Sequence, residues 1–329
     1  MANQKNKLII TLMENMPIVL FVTIFIIFGI LSPSFFSYKN MENIATSASY
    51  IGITAVGMTF VLLTAGIDLS VGATMYLSAA VAGLLIQNYH FPVWLALFIG
   101  VCVGAVMGMI NSFVIIKLKI LPFITTLSTM VAGRGVALLM TKSQSIMLPE
   151  SVMKIGYARV LGIPLPIIFF AIIVLASHIL LKRTPLGRQI YAVGNDIEAA
   201  KKAGINTTKV LAIVYIICGV LAAIGGIISV AQMGIVNAGF GESSEFDAIS
   251  ASILGGTSMF GGLGAVFPGT VIGTVLIQMI QAGLVYLKVD LYIQPMISAG
   301  IIFIAVLLDS IRTTQITKLQ RRNIRNENL

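Results

Sequence analysis

Charged residues are scarce in this 329-residue sequence. Asp, Glu, Lys and Arg together make up 10% of the chain, whereas hydrophobic residues make up 57%. Soluble domains usually carry about 25% charged residues, so the composition excludes an ordinary soluble protein. It indicates an all-α polytopic membrane protein.

Cysteine and histidine are also rare, with two residues of each. Cys102 and Cys218 fall inside apolar runs, where they are most simply small buried side chains, and they imply neither a disulfide nor a metal site. His90 and His178 lie at the ends of apolar stretches without ligand-like neighbours. We therefore expect the chain to bind no metal.

Motifs for nucleotide chemistry and catalysis are missing as well. The glycine run GGTSMFGGLG at 255–264 lacks the Lys-Ser/Thr ending of a phosphate-binding loop, and G-x-x-x-x-G-K-[ST] occurs nowhere in the sequence. The sequence also has no paired-carboxylate, Ser-His-Asp or HExxH constellation. An enzyme is a poor fit, and we expect this chain to bind no cofactor of its own.

The sequence does contain apolar runs of about 20 residues, the length that crosses a bilayer as a helix. We predict about ten membrane elements within one domain over 1–329. The first is an uncleaved span followed by an exit loop at 32–49, and the eighth is barely long enough to cross, which suggests a half-helix. The predicted elements are 8–31, 50–66, 70–87, 92–116, 121–140, 162–181, 210–233, 246–258, 265–287 and 292–311.

The net charge of +9 could suggest a nucleic-acid partner. The basic residues, however, lie between the apolar runs and at the chain ends. Basic residues in such positions indicate which loops face the cytoplasm. With the N-terminus inside, 15 of the 21 basic residues fall on the inner side and five on the outer side. This bias predicts that both termini, the tail at 312–329 and the central segment at 182–209 are cytoplasmic, with no nucleic-acid partner.

The central segment at 182–209 is a long polar stretch between two apolar blocks, and its middle is predicted to be a short helix. Asn195 or Asp196 supplies the N-cap oxygen, and Gly204 ends the helix. The charges follow the order that suits the helix dipole, with Glu198 before Lys201 and Lys202. Such a helix either lies at the lipid surface or docks on a soluble partner through the small side chains of Ala199, Ala200 and Ala203.

Two glycine-containing breaks, at 65–72 and 255–264, interrupt apolar runs. Broken helices at membrane depth are tolerated where they face protein or a water-filled cavity, so we expect both breaks to border a translocation path. Within the first, Asp68 either caps the next helix or serves transport, and the two roles are compatible. The residues assigned to this path are Gly66, Asp68, Ser70, Gly72, Arg134, Asp247, Gly255, Gly256, Gly261 and Gly262.

For two of these residues, a structural role is the alternative to a role in the translocation path. Arg134 is expected to pair with a neighbour or to extend its charge toward the outer face. Asp247 is expected to cap the eighth element, at 246–258.

Four stretches, at 52–72, 121–135, 187–205 and 246–273, resemble the ribose-type monosaccharide permeases of ABC importers. The resemblance implies a pair of permeases (identical or different), a separate cytoplasmic ATPase that binds ATP and Mg, and an extracytoplasmic sugar-binding protein. It also implies a prokaryotic plasma (inner) membrane, and a substrate that is a ribose-type sugar or autoinducer-2. The stretch that resembles the ATPase-coupling loop of the family comprises Glu198, Ala199, Ala200, Ala203 and Gly204.

The alternative is an ion-coupled secondary sugar transporter. Such a carrier would need acidic residues within the membrane, and the sequence offers essentially Asp68 alone. It would also have no use for a capped coupling helix. We therefore favour the ATP-driven importer.

Overall fold

The computed structural model of the chain describes residues 16–304 and residue 307. The fold of these residues is mostly helical. In chain order the helices are α1 (Met16–Leu31), α2 (Tyr38–Leu63), α3 (Val71–Gln87), α4 (Val93–Lys117), α5 (Pro122–Thr141), α6 (Glu150–Tyr157), α7 (Leu165–Arg183), α8 (Pro185–Asn195), α9 (Ile197–Lys202), α10 (Thr207–Met233), α11 (Ser244–Leu254), α12 (Val271–Tyr286) and α13 (Gln294–Ile304).

Six of the described helices are long and apolar enough to cross a membrane, namely α2, α4, α5, α7, α10 and the stretch Val266–Tyr286 that contains α12. Three shorter apolar helices, α1, α3 and α13, fall below that length. The eighth predicted element corresponds to α11, an 11-residue helix that ends at a glycine break. The beginning of the first predicted span, the end of the tenth and the C-terminal tail lie outside the described residues.

The predicted exit loop at 32–49 is wrong. A short 3₁₀ turn, Pro33–Phe36, leads directly into α2 at Tyr38. The side-chain amide of Asn40 donates to the Phe35 carbonyl at 2.7 Å, and the Ser49 hydroxyl donates to the Ala45 carbonyl four residues earlier at 3.0 Å. Because such polar side chains bond to nearby backbone carbonyls, a polar sequence can remain helical at the end of a span.

The described residues divide into two compact units, one formed by the described parts of 1–44 and 275–329 and the other by Ala45–Thr274. In the first unit, aromatic rings pack around the turn after α1, with the Phe35 and Tyr286 centroids 6.1 Å apart. In the second unit, α10 is the central helix and packs against both α3 and α4.

Close glycine packing joins α4 to α10. A side chain at Gly104 would collide with the Gly219 carbonyl, and a side chain at Gly108 would collide with the Tyr215 carbonyl. Gly219 in turn lies against the Gly104 carbonyl. The glycines of α4 that repeat every four residues therefore let the two backbones touch, as small residues do between helices in lipid.

Two β-bridges mark one end of the second unit. The strand Ile146–Met147, which follows α5, pairs antiparallel with Ile235–Val236, which follows α10. A second short hairpin, Arg159–Val160 with Ile163–Pro164, leads into α7. The C-terminal ends of α5 and α10 therefore lie together.

Candidate functional site

The first break separates α2 from α3 and is held by a buried carboxylate. Asp68 is only 1% exposed. Its Oδ1 atom accepts hydrogen bonds from the Ser70 backbone N–H at 2.9 Å and from the Ser70 hydroxyl at 2.6 Å. Asp68 therefore fixes the turn ahead of α3. Ser70, rather than Asp68, occupies the N-cap position of that helix, which corrects the predicted capping role.

Three neighbouring helices complete this buried polar cluster. The Asn111 amide of α4 donates to the Ser70 hydroxyl at 2.8 Å and to Asp68 Oδ1 at 3.3 Å. Thr129 of α5 donates to the Asn111 oxygen at 2.6 Å, and the Cys218 side chain of α10 faces the same carboxylate. Neither Asn111 nor Thr129 was assigned to the site from sequence. The available signal was a single asparagine inside an apolar run of about 25 residues.

The second break follows α11, whose C-cap is Gly255. Four of its glycines have backbone conformations that other residues rarely adopt, with φ of +90° at Gly256, +84° at Gly261, +71° at Gly262 and +146° at Gly264. The chain folds back on itself through the Ser258 N–H, which donates to the Leu263 carbonyl at 2.8 Å. Glycine is thus required here for the backbone path.

The structure brings the two breaks into contact. The Gly262 N–H donates to the Leu63 carbonyl at the end of α2, at 3.0 Å. A side chain at Gly261 would lie 2.9 Å from the Ala65 nitrogen. Sequence reasoning assigned both breaks to the same path, and the fold makes them neighbours at one end of the second unit.

The elbow between α8 and α9, formed by Gly194 and Asn195, packs onto both breaks. Gly194 lies against the Leu63 carbonyl, and Gly262 lies against the Asn195 side chain, with no space for a side chain at either glycine. The Tyr191 hydroxyl donates to the Gly264 carbonyl at 2.8 Å. A tyrosine is protonated and able to donate at neutral pH, and burial raises the pKa of Tyr191 further above its ordinary value.

The predicted short helix of the central segment is present as α9. Asp196 is its N-cap, and its carboxylate accepts from the backbone N–H groups of Glu198 and Ala199, both at 2.9 Å. Gly204 follows the C-cap with φ of +81°, as predicted. The second helix of the segment, α8, was not anticipated.

The small residues of α9 and of the turn that ends it, Ala203 and Gly204, do not share one exposed face. Ala200 is 4% exposed and packs into the chain itself, whereas Ala199, Ala203 and Gly204 are exposed. The predicted face of three alanines is wrong for Ala200, because this position turns inward. The exposed small surface consists of Ala199, Ala203 and Gly204.

Arg134 lies on α5, and its partners are on the segment that precedes α11. Its guanidinium donates to the carbonyls of Ala238 at 3.1 Å and Phe240 at 3.2 Å, and it forms an ion pair with Glu242 at 3.3 Å. The Arg134 side chain is 20% exposed and that of Glu242 is 65% exposed. The expected pairing is therefore present, and it holds an irregular backbone segment in place.

Asp247 does not cap α11, which corrects the prediction. The helix begins at Ser244, so Asp247 lies in its first turn together with Glu245, where acidic side chains suit the helix dipole. Glu245 is buried, although sequence reasoning did not single it out. Its carboxylate packs against Gly72, whose missing side chain also lets the Gly241 carbonyl approach α3.

Comparisons with known proteins give a consistent result. The model of the family described as branched-chain amino acid transport system / permease component matches residues 40–307. The ribose import permease protein RbsC of Escherichia coli strain K12 is 39% identical over 307 residues, covering 91% of this chain and 94% of that protein. RbsC of Bacillus subtilis strain 168 is 41% identical over 294 residues, covering 88% of this chain and 90% of that protein.

A relative named for another sugar is similarly close. The D-allose transport system permease protein AlsC of Escherichia coli strain K12 is 38% identical over 285 residues, covering 86% of this chain and 87% of that protein. No solved structure matches the chain.

Proposed function

Because the chain belongs to the family of branched-chain amino acid transport system / permease components, we propose that it is the transmembrane permease subunit of an ATP-driven importer of a ribose-type monosaccharide. The family description mentions amino acids, whereas the relatives that span most of the chain are named for ribose and D-allose. These names favour a monosaccharide over autoinducer-2. The chain is a transport subunit and not an enzyme.

The observation that carries this proposal is the placement of the capped helix α9. Its elbow contacts both helix breaks, while Ala199, Ala203 and Gly204 remain exposed at its surface. A helix that only floats at the lipid surface would not need an exposed strip of small side chains. Such a strip permits close approach, so it suits docking in a groove of a cytoplasmic ATPase.

A permease of this kind works with an ATPase and a binding protein. In our proposal ATP and Mg bind to the ATPase, the sugar-binding protein delivers substrate from outside, and a second permease subunit completes the path. In this proposal the chain itself contributes no cofactor site and no nucleic-acid surface. Its own part is the wall of the path near Asp68, Ser70 and the two breaks, together with the coupling surface on α9.

The topology proposed for this multi-pass protein follows the charge bias, with about ten membrane elements, both termini cytoplasmic, and the prokaryotic plasma (inner) membrane as its location. The β-bridge between 146–147 and 235–236 supports a common outer end for α5 and α10. Lys154 lies on α6, near that end, and Lys201 lies on α9. Single cysteines at Lys154 and Lys201 should react with a membrane-impermeant label from opposite sides, and labelling from one side would refute this arrangement.

The proposed function predicts dependence on partners. In proteoliposomes the purified chain alone should take up no ribose under proton or sodium gradients. Uptake should appear when the partner ATPase is present with internal ATP and Mg and the binding protein is added outside. Gradient-driven uptake by the chain alone would instead establish the ion-coupled carrier.

A matched pair of variants locates the ATPase contact in the same experiment. Ala203→Trp adds bulk to the exposed small strip of α9, so it should prevent co-purification of the ATPase and abolish uptake. Lys202→Trp adds similar bulk on another exposed face of the helix and should keep both. Normal assembly of the Ala203→Trp complex would show that the ATPase docks elsewhere.

A further inference from the structure

The α8–α9 pair forms a continuous bracket. Thr184 caps α8 by accepting from the Gly187 N–H at 3.2 Å. At the elbow, the Asp196 N–H donates to the Ala192 carbonyl at 3.2 Å and the Asp196 carbonyl accepts from the Ala200 N–H at 3.0 Å. Because backbone hydrogen bonds continue across the elbow, the two helices are tied to each other on both sides of the bend.

This bracket reaches the first break through backbone packing. Gly194 lies against the Leu63 carbonyl, which also accepts the hydrogen bond from the Gly262 N–H at 3.0 Å. A contact between bare backbones has no side chain that can adjust. A displacement of the elbow must therefore move the end of α2, or break the contact.

The bracket reaches the second break through a side chain as well. The Tyr191 hydroxyl donates to the carbonyl of Gly264, the last glycine of the second break, ahead of α12, which begins at Val271. Five of the ten residues of this break are glycine. The hydrogen bond from Tyr191 therefore joins the bracket to Gly264, the last residue of the break.

We propose that Tyr191 is a positioning residue that carries the movement of α9 to the second break, so that the state of the ATPase sets the position of the 255–264 turn. This inference rests on the proposed function and extends it to a specific residue. In this proposal α8 and α9 move together. Gly194 contacts the first break, and the Tyr191 hydroxyl contacts the second.

The test removes only the hydroxyl. In the Tyr191→Phe complex the ATPase should co-purify normally, because the exposed strip of α9 is unchanged. ATP hydrolysis should continue, while sugar transported per ATP should fall about fivefold, the effect of losing one neutral hydrogen bond from the coupled state. Tyr157→Phe, which removes the same atom from an exposed tyrosine on α6, should leave this ratio unchanged.

A second measurement follows the movement of the turn. In a Cys102→Ser background, which removes the exposed native thiol, Met259→Cys places a label site on the exposed surface of the second break. With Tyr191 present, the labelling rate should change when ATP is added to the complex. With Tyr191→Phe this ATP-dependent change should be lost, which a purely structural role of Tyr191 would not cause.

The outcomes separate this inference from the proposed function. Unchanged transport per ATP in Tyr191→Phe, or an unchanged ATP response of the label, would overturn the role of Tyr191. Loss of ATPase co-purification would also overturn it, because Tyr191 would then belong to the docking surface. Failure of the wild-type complex to transport sugar would contradict the proposed function instead.

Discussion

Replacing Gly262 by alanine is expected to abolish sugar uptake, while the same replacement at Gly256 is expected to preserve most of it. Both glycines have left-handed backbone conformations, with φ of +71° and +90°. Alanine there costs about 1–2 kcal/mol in either case. Their surroundings differ, because a side chain at Gly262 collides with Asn195, whereas a side chain at Gly256 meets nothing within 4 Å.

This pair separates backbone strain from close contact. Uptake by the reconstituted complex measures function, and the amount of each variant in purified membranes shows whether it inserts. Gly262→Ala should insert and assemble with the ATPase, since the exposed residues Ala199, Ala203 and Gly204 are unchanged, but should fail to transport. Equal uptake by the two alanine variants would show that contact between the second break and the elbow has no role.

Asp68→Ala is expected to destabilise the protein strongly and to abolish uptake. The substitution removes the acceptor of the Ser70 N–H and leaves the Asn111 amide with Ser70 as its remaining acceptor in this cluster. The Ser70 N–H and the Ser70 hydroxyl both lose this acceptor. A buried donor without a partner costs about 1–3 kcal/mol, so the total is about 2–6 kcal/mol. Thermal unfolding of the purified protein in detergent should show a Tm lower by roughly 5 °C.

Asp68→Asn is the matched control. It keeps an oxygen that can accept from the Ser70 N–H and has nearly the same volume, so its Tm should lie between those of wild type and Asp68→Ala. If Asp68→Ala unfolds at the wild-type temperature, the carboxylate does not hold the first break. If Asp68→Asn is as unstable as Asp68→Ala, the negative charge matters more than the acceptor position.

The parts of the fold that follow from local chemistry were predictable from sequence. Apolar runs located the helices of the second unit, and the Asp196 cap and Gly204 stop located α9. The positive φ values in the second break follow from its glycines, which other residues rarely replace in that conformation. In each case the signal lies within a few residues of the feature that it determines.

The features that depend on distant contacts could not be predicted in the same way. Asn111 is one polar residue in an apolar helix, and only the fold shows that it faces Asp68. The inward position of Ala200 depends on how the elbow packs, and helical spacing alone does not set that direction. The helical start of α2 was missed because its polar residues resemble a loop, although their side chains bond to the backbone of the helix.

The contact between α4 and α10 limits where this protein can change shape. Their backbones touch at Gly104 and Gly219, so the two helices cannot slide along each other without driving a carbonyl into a neighbouring chain. The two helices therefore keep the same position relative to each other. We therefore expect α4 and α10 to move together as one body during any opening of the protein toward one side of the membrane.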